Sequence, residues 1–174
     1  QGDNVANRLK AAGVPVKFVE GQSNGGYAGL QHAKFMLVDA GTLLTGSNNW
    51  SSTGTTINNE NVTVIRGAAD DALIGAFGCH FDAMWRAAPA EAGACEVEGL
   101  VAFTPGGGAI RLIRDGLRAA TTSIDVLMHH LLFDGLQKEL AKAAERGVRV
   151  RVVINAADRG EISGGGWNRM LAAG

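Results

Sequence analysis

The sequence predicts an α/β fold. Three observations carry this. Segments with helical spacing of apolar residues alternate with short β-branched runs. Glycine, 25 of 174 residues, clusters in short runs rather than spreading through a low-complexity tract. The composition, 46% hydrophobic and 19% charged, suits a chain with a real core.

The elements follow in order. "DNVANRLKAAG" reads as a helix with Asp3 as N-cap and Gly13 as its left-handed stop. "VPVKFV" (14–19) reads as a strand and "EGQSNGGYAG" as a flexible loop. A second strand is expected over 31–38, a third over 42–46 after a turn at Ala40-Gly41, and a fourth over 60–65. Asp70 is expected to open a helix running to about Arg86. Leu73, Ile74, Phe77, Phe81, Met84 and Trp85 sit at helical spacing, and Pro89 closes the segment. "EAGACEVEGLVAFTPGGG" reads as a linker with one strand near 97–103.

The pattern then restarts. A helix covers 108–120, "TSIDVLMH" is a strand, and Asp134 caps a helix that stops at Gly147. "VRVRVVI" (148–154) reads as a buried strand, and "GGGW" leads into a last helix. "NRLKAAG" (7–13) and "NRMLAAG" (168–174) share five of seven positions. Two Ala-rich helix ends can match by chance. A true repeat would make the chain one period of a longer array.

Composition narrows the function classes. Net charge is −1 and pI about 6.5, so no general basic excess marks a nucleic-acid binder. No apolar run approaches the ~20 residues that span a bilayer. "QGDNVANRLK" has no apolar region of the signal-peptide kind. No CxxC or HxxxH pair suggests zinc. Cys79 and Cys95 read as a helix thiol and a loop thiol. The alternative is a disulfide, which leans toward an exported, secreted or periplasmic protein.

The chemistry concentrates in "LQHAKFMLVDAGTLLTGSNNW" and "NNENV". In a strand, His32 and Lys34 share a face with Met36 and Val38, while Ala33, Phe35 and Leu37 point the other way. Two potential cations side by side repel unless an anion lies between them, and a phosphate satisfies both. Asp39 ends the strand. Gly46, Ser47 and Asn49 supply hydroxyl, amide and backbone donors. Fourteen residues after Gly46 comes Glu60, flanked by Asn59 and Asn61, a carboxylate able to orient a histidine. His-x-Lys alone reads as surface charge; the full string does not.

This string resembles the signature of the phospholipase D superfamily, His-x-Lys-x4-Asp followed by Gly-Ser-x-Asn. The form "GSNNWSS…NNENV" is similar to the branch of bacterial endonucleases and mitochondrial cardiolipin hydrolase (Zucchini-like) proteins. The stretch "AIRLIRDGLRAATTSIDVLMHHLLFDGLQKELAKAAERGVRVRVVINA" is similar to the opening half of such a repeat, yet here it follows the signature half. The order implies a window across two repeats. Residues 1–88 are the C-terminal half of one repeat, 89–105 a linker, and 106–174 the N-terminal half of the next. A circular permutant is the alternative, and the two halves either complete one repeat-like domain together or each pair with missing sequence.

The resemblance implies a phospholipase D-like α-β-α sandwich around a central mixed sheet. It implies a metal-independent phosphodiesterase with no cofactor, acting through a phosphohistidine. His32 is then nucleophile or general acid/base, Lys34 and Asn49 clamp the phosphate, and Ser47 is a hydrogen-bond partner. Glu60 orients the imidazole, and Asp39 supports the site from behind. A second copy of the motif is required, from a homodimer partner or from absent parts of the polypeptide. Nuclease-like hydrolysis is favoured over lipid hydrolysis. The rival class is a non-catalytic phosphate-binding or scaffold module.

Other features read as structural. His129 and His130 follow a strand without a lysine partner and read as satisfied polar residues, the alternative being that one approaches the site from the strand end; His80 lies in an apolar helix. "PGGGAIRLI" lacks the Lys-Ser/Thr of a phosphate loop and reads as a helix start. "SNGGYAG" is a loop or a mobile rim of the site. Trp50 is expected to be buried beside its turn rather than free to stack on a base. Arg66, Arg149 and Arg151 read as solvated strand-edge charges.

Overall fold

The computed structural model describes residues 5–68, 71–106 and 108–156. The chain divides into two compact units, 1–108 and 109–174.

The first unit begins with helix α1 (Val5–Ala11). Gly13 follows at φ +80, the left-handed stop expected of it; Asp3 lies outside the described residues. Residues 14–19 are not a strand. They have no hydrogen-bonded neighbour among the described strands, and a strand exists only by pairing. The expected loop at 20–29 is instead a small hairpin of β1 (Ser23–Asn24) and β2 (Tyr27–Ala28). Gly25 and Gly26 turn it at φ +57 and +93, the two positive values a tight hairpin needs.

Strands β3 (Phe35–Val38), β4 (Thr42–Gly46) and β5 (Val62–Arg66) form an antiparallel meander. β3 is shorter than the expected 31–38, because pairing starts at Phe35↔Thr45 and residues 31–34 run on as unpaired chain. One face of this meander packs on α3 (Ala72–Trp85). Leu43 is fully buried. Phe35 meets Phe77 edge to face at 5.1 Å. Asp71, not Asp70, caps α3, accepting from the backbone N–H of Leu73 and Ile74; Asp70 lies outside the described residues. Phe81 and Trp85, expected in the core stripe, flank it at 49% and 37% exposure.

The segment 89–105 packs on α3. It opens with a 3-10 helix (Pro89–Cys95) and carries a single bridge, Val97↔Val101, where a strand was expected. Cys95 and Phe103 join Ala76 in a cluster with Phe77, Met84, Val97 and Val101 around it. The two thiols are a disulfide, Cys79–Cys95, the alternative reading of the pair. His80 is structural, as expected: it is 3% exposed and stacked on Phe103 at 4.2 Å. Burial holds its pKa below the usual 6.5.

The second unit holds α4 (Gly108–Ala119), β6 (Ser123–Met128), α5 (Asp134–Glu145) and β7 (Arg149–Ile154). β6 and β7 pair in parallel with α5 as the crossover. Gly147 ends α5's exit at φ +86. Asp134 lies in the first turn, where it pairs with Lys138, but it is not the cap; that position is Phe133. β7 alternates half-buried and exposed residues rather than being buried throughout. Arg149 and Arg151 are not simply solvated. Arg151 grips Asp125, its cross-strand partner, at 2.7 and 2.9 Å, and Arg149 reaches the same carboxylate at 3.6 Å. Arg118 of α4 holds Glu139 of α5 in a two-pronged pair that lowers the carboxyl pKa to about 2.

Mixed α/β structure is therefore present. The expected single central mixed sheet is not assembled among the described residues, which form a three-stranded antiparallel sheet and two two-stranded ones. "GGGW", its expected helix and the copy at 168–174 lie outside the described residues.

Candidate active site

The site is built where β4 ends and β5 begins. Gly46 sits opposite Val62 in register. Its φ is +156, and a Cβ there would stand 2.2 Å from the Asn61 carbonyl oxygen. Only glycine lets the two backbones close this tightly.

That approach sets up a reciprocal lock. The Ser47 backbone N–H donates to the Asn61 side-chain oxygen at 2.9 Å and to its carbonyl at 3.2 Å. The Asn61 N–H donates back to Ser47 Oγ at 3.1 Å. Ser47 Oγ donates its own proton to Glu60 Oε2 at 2.5 Å, the short distance of a bond to a charged acceptor. Asn58 Nδ2 donates to Glu60 Oε1 at 3.1 Å. These bonds, Ser47 first and then Asn58, hold the Glu60 carboxyl below its usual pKa of 4.5, and the Lys34 charge adds to the effect.

Lys34 enters from the neighbouring strand. Carrying the β3–β4 register one step past Phe35↔Thr45 sets it opposite Gly46. Its carbonyl accepts from Thr45 Oγ1 at 3.2 Å, and its ammonium donates to the His32 carbonyl at 2.7 Å. Lys34, Gly46, Asn48, Trp50, Asn61 and Val62 line one small cleft. The loop beneath it is held by short backbone contacts. Ser51 N–H donates to the Asn49 carbonyl at 2.7 Å. Ser51 Oγ accepts from Gly54 N–H, capping α2 (Ser52–Thr56). A Cβ on Gly54 would stand 2.2 Å from the Asn49 oxygen.

Of the six residues expected at a site, Lys34, Ser47 and Glu60 come together. His32 is exposed on the chain just before β3, beside Lys34. Asn49 is exposed on the loop after Ser47. Asp39 is elsewhere. It lies in the β3–β4 turn at φ +51, at the end of the hairpin away from Ser47. Both oxygens of Glu60 accept from Ser47 and Asn58.

Sequence reasoning did not pick out Asn58 and the role of Asn61; a Ser and an Asn at the facing ends of two antiparallel strands is the signal for such a lock. Trp50 was expected to be buried and is 62% exposed, because no element among the described residues covers that side of the turn. Arg66 is exposed, as read. His129 and His130 stack on each other at 3.8 Å in the second unit. No group of three or more His, Cys, Asp or Glu side chains able to hold a metal occurs among the described residues.

The family described as "Cardiolipin synthase, PLD-like domain" matches residues 1–85. A mitochondrial cardiolipin hydrolase of Chlamydomonas reinhardtii is 36% identical over 85 residues, 49% of this chain and 34% of that protein. The chain thus spans about a third of the length of this curated relative. No solved structure matches. The lean toward an exported protein finds no support in this relative, which its name places in mitochondria. No helix among the described residues is long and apolar enough to cross a membrane. Residues 1–85, which hold the whole Lys34–Ser47–Glu60 cluster, thus match the phospholipase D superfamily, on its cardiolipin hydrolase (Zucchini-like) side.

Proposed function

We propose that the chain supplies half of a phosphodiester-hydrolysing site. The observation that carries this is the cleft lined by Lys34, Gly46 and Asn48, beside the Ser47–Glu60 bond that keeps Glu60 ionised. A phosphate entering there meets a cation and a rigid polar turn.

In this reading a nitrogen of His32 attacks phosphorus, forming a P–N bond as the P–O bond to the leaving alcohol breaks. A second histidine, from another copy of the motif, gives its proton to that alkoxide. The same histidine then takes a proton from water, whose oxygen displaces His32 and completes the diester's hydrolysis. Lys34 and Asn49 hold the non-bridging oxygens. Ser47 and Asn58 fix Glu60, which balances the local cations and orients His32. Asp39 holds the hairpin turn. The second motif comes from a homodimer partner or from parts of the polypeptide beyond this chain. The step requires no metal or cofactor.

The sequence favoured a nuclease-like substrate. The relative's name and the net charge of −1 move the reading to a glycerophospholipid diester. The test is hydrolysis of bis(p-nitrophenyl) phosphate in excess EDTA by the full chain and by His32→Ala. Turnover that survives EDTA and vanishes in the variant is expected. Turnover equal in both proteins sinks His32 as nucleophile. No turnover in either favours a phosphate-binding module instead.

A further inference from the structure

The chain's three tryptophans are Trp50, Trp85 and Trp167. Trp85 belongs to the fold: it stacks on Phe81 at 6.1 Å and carries Lys17 over its ring at 5.1 Å. Trp50 is different. It is 62% exposed, and among the described residues it makes no ring stack or cation contact. Yet it lines the same cleft as Lys34 and Val62. Its backbone is fixed on both sides, by the Asn49–Ser51 bond and by the capped start of α2.

An indole left in water forfeits a large apolar burial. Held on a rigid turn, it has only two side-chain torsions to freeze when a ligand covers it, so the covering ligand gains most of that area. Beside it Val62, 51% exposed, and Leu44 extend the apolar wall. Lys34 lines the same cleft, and its ammonium donates to the nearby His32 carbonyl. A ligand fitting both has an anionic phosphate joined directly to a small group with an apolar face.

We propose that Trp50 is the specificity-determining wall of this cleft, packing its indole against the glycerol backbone of a glycerophospholipid whose phosphate Lys34 holds. This rests on the phosphodiester reading of the site and adds to it the group that the site selects. An indole, with an apolar face and one N–H donor, suits the boundary between acyl chain and headgroup.

The test measures binding by the full chain carrying His32→Ala, so that no turnover intervenes. The probes are dihexanoylphosphatidylglycerol below its micelle concentration, a thymidine dinucleotide, and inorganic phosphate. Trp50→Ala is expected to weaken the lipid about three- to tenfold and to leave inorganic phosphate unchanged. Trp50→Phe should recover most of the loss. An equal loss for inorganic phosphate assigns Trp50 to shaping the turn and overturns the proposal. A loss confined to the dinucleotide overturns it in favour of base stacking. Lipid binding that Lys34→Ala abolishes but Trp50→Ala leaves intact overturns this proposal and retains the phosphodiester reading. No binding of any probe sinks both.

Discussion

At the residue scale the lock between Ser47, Glu60 and Asn61 is the feature with the sharpest consequences. Ser47 Oγ is donor to Glu60 and acceptor from Asn61 at once, so alanine there removes both bonds. Glu60's depressed pKa means that its native interactions stabilise the fold above the usual carboxylate range and are lost as pH falls through its lowered value. In Ser47→Ala the Glu60 midpoint should rise toward 4.5, read by carboxyl carbon NMR; an unmoved midpoint means that Lys34 and Asn58 set it. Gly46→Ala should destabilise the fold by about 2 kcal/mol or more in urea, since it adds backbone strain and a clash with the Asn61 carbonyl. Much of this site was legible in the linear order. Lys34, Ser47 and Glu60, which the fold brings together, stand out in the sequence by type and spacing. The exposure of Trp50 was not legible, because burial is decided by what lies above a turn, and nothing local to "GSNNW" encodes that.

At the element scale the helix α3 carries the first unit. It covers one face of the meander and, through Cys79–Cys95, holds the segment 89–105. The disulfide closes a loop over a separation of 16 residues, so Cys95→Ser should cost about 3 kcal/mol. Hydrogen exchange should then rise in 96–103 and stay slow in β4; uniform exchange throughout the unit argues that the segment is integral to folding. His80 gives the same packing a pH dependence. Its folded pKa lies below 6.5, so the unfolded chain takes up the proton first, and stability is present above 6.5 and lost as pH falls. A urea midpoint that drops between pH 7 and 5 in the parent, and drops less in His80→Phe, is expected. Elements with their own punctuation were legible: β4 and α5's glycine stop fall where turn residues put them. Residues 14–19 misled because "VPVKFV" has strand composition but no partner among the described strands, and pairing is a non-local fact.

At the scale of the whole molecule, one chain holds one copy of the motif, and the proposed chemistry uses two histidines. Specific activity should therefore rise with protein concentration if a second copy of the chain completes the site. Mixing parent with excess His32→Ala should lower activity per parent chain, as mixed pairs replace competent ones. Activity independent of both concentration and mixing rules out completion by a homodimer and points to sequence beyond this chain. The resemblance implies a reversed order of two halves, from "RGVRVRVV" following "GSNNW"; how such halves are completed is a matter of assembly, which no single chain's periodicity records.

The small glycine hairpin has a use of its own. Gly21 and Gly29 close so tightly at its base that a Cβ on Gly21 would stand 2.3 Å from the Gly29 carbonyl carbon, while at the tip Gly25 and Gly26 have open space around them. The base thus clamps the chain three residues ahead of His32, and the tip is insulated from it. A fluorophore-binding tag spliced between Gly25 and Gly26 should report on the neighbourhood of His32, the proposed nucleophile, without moving it.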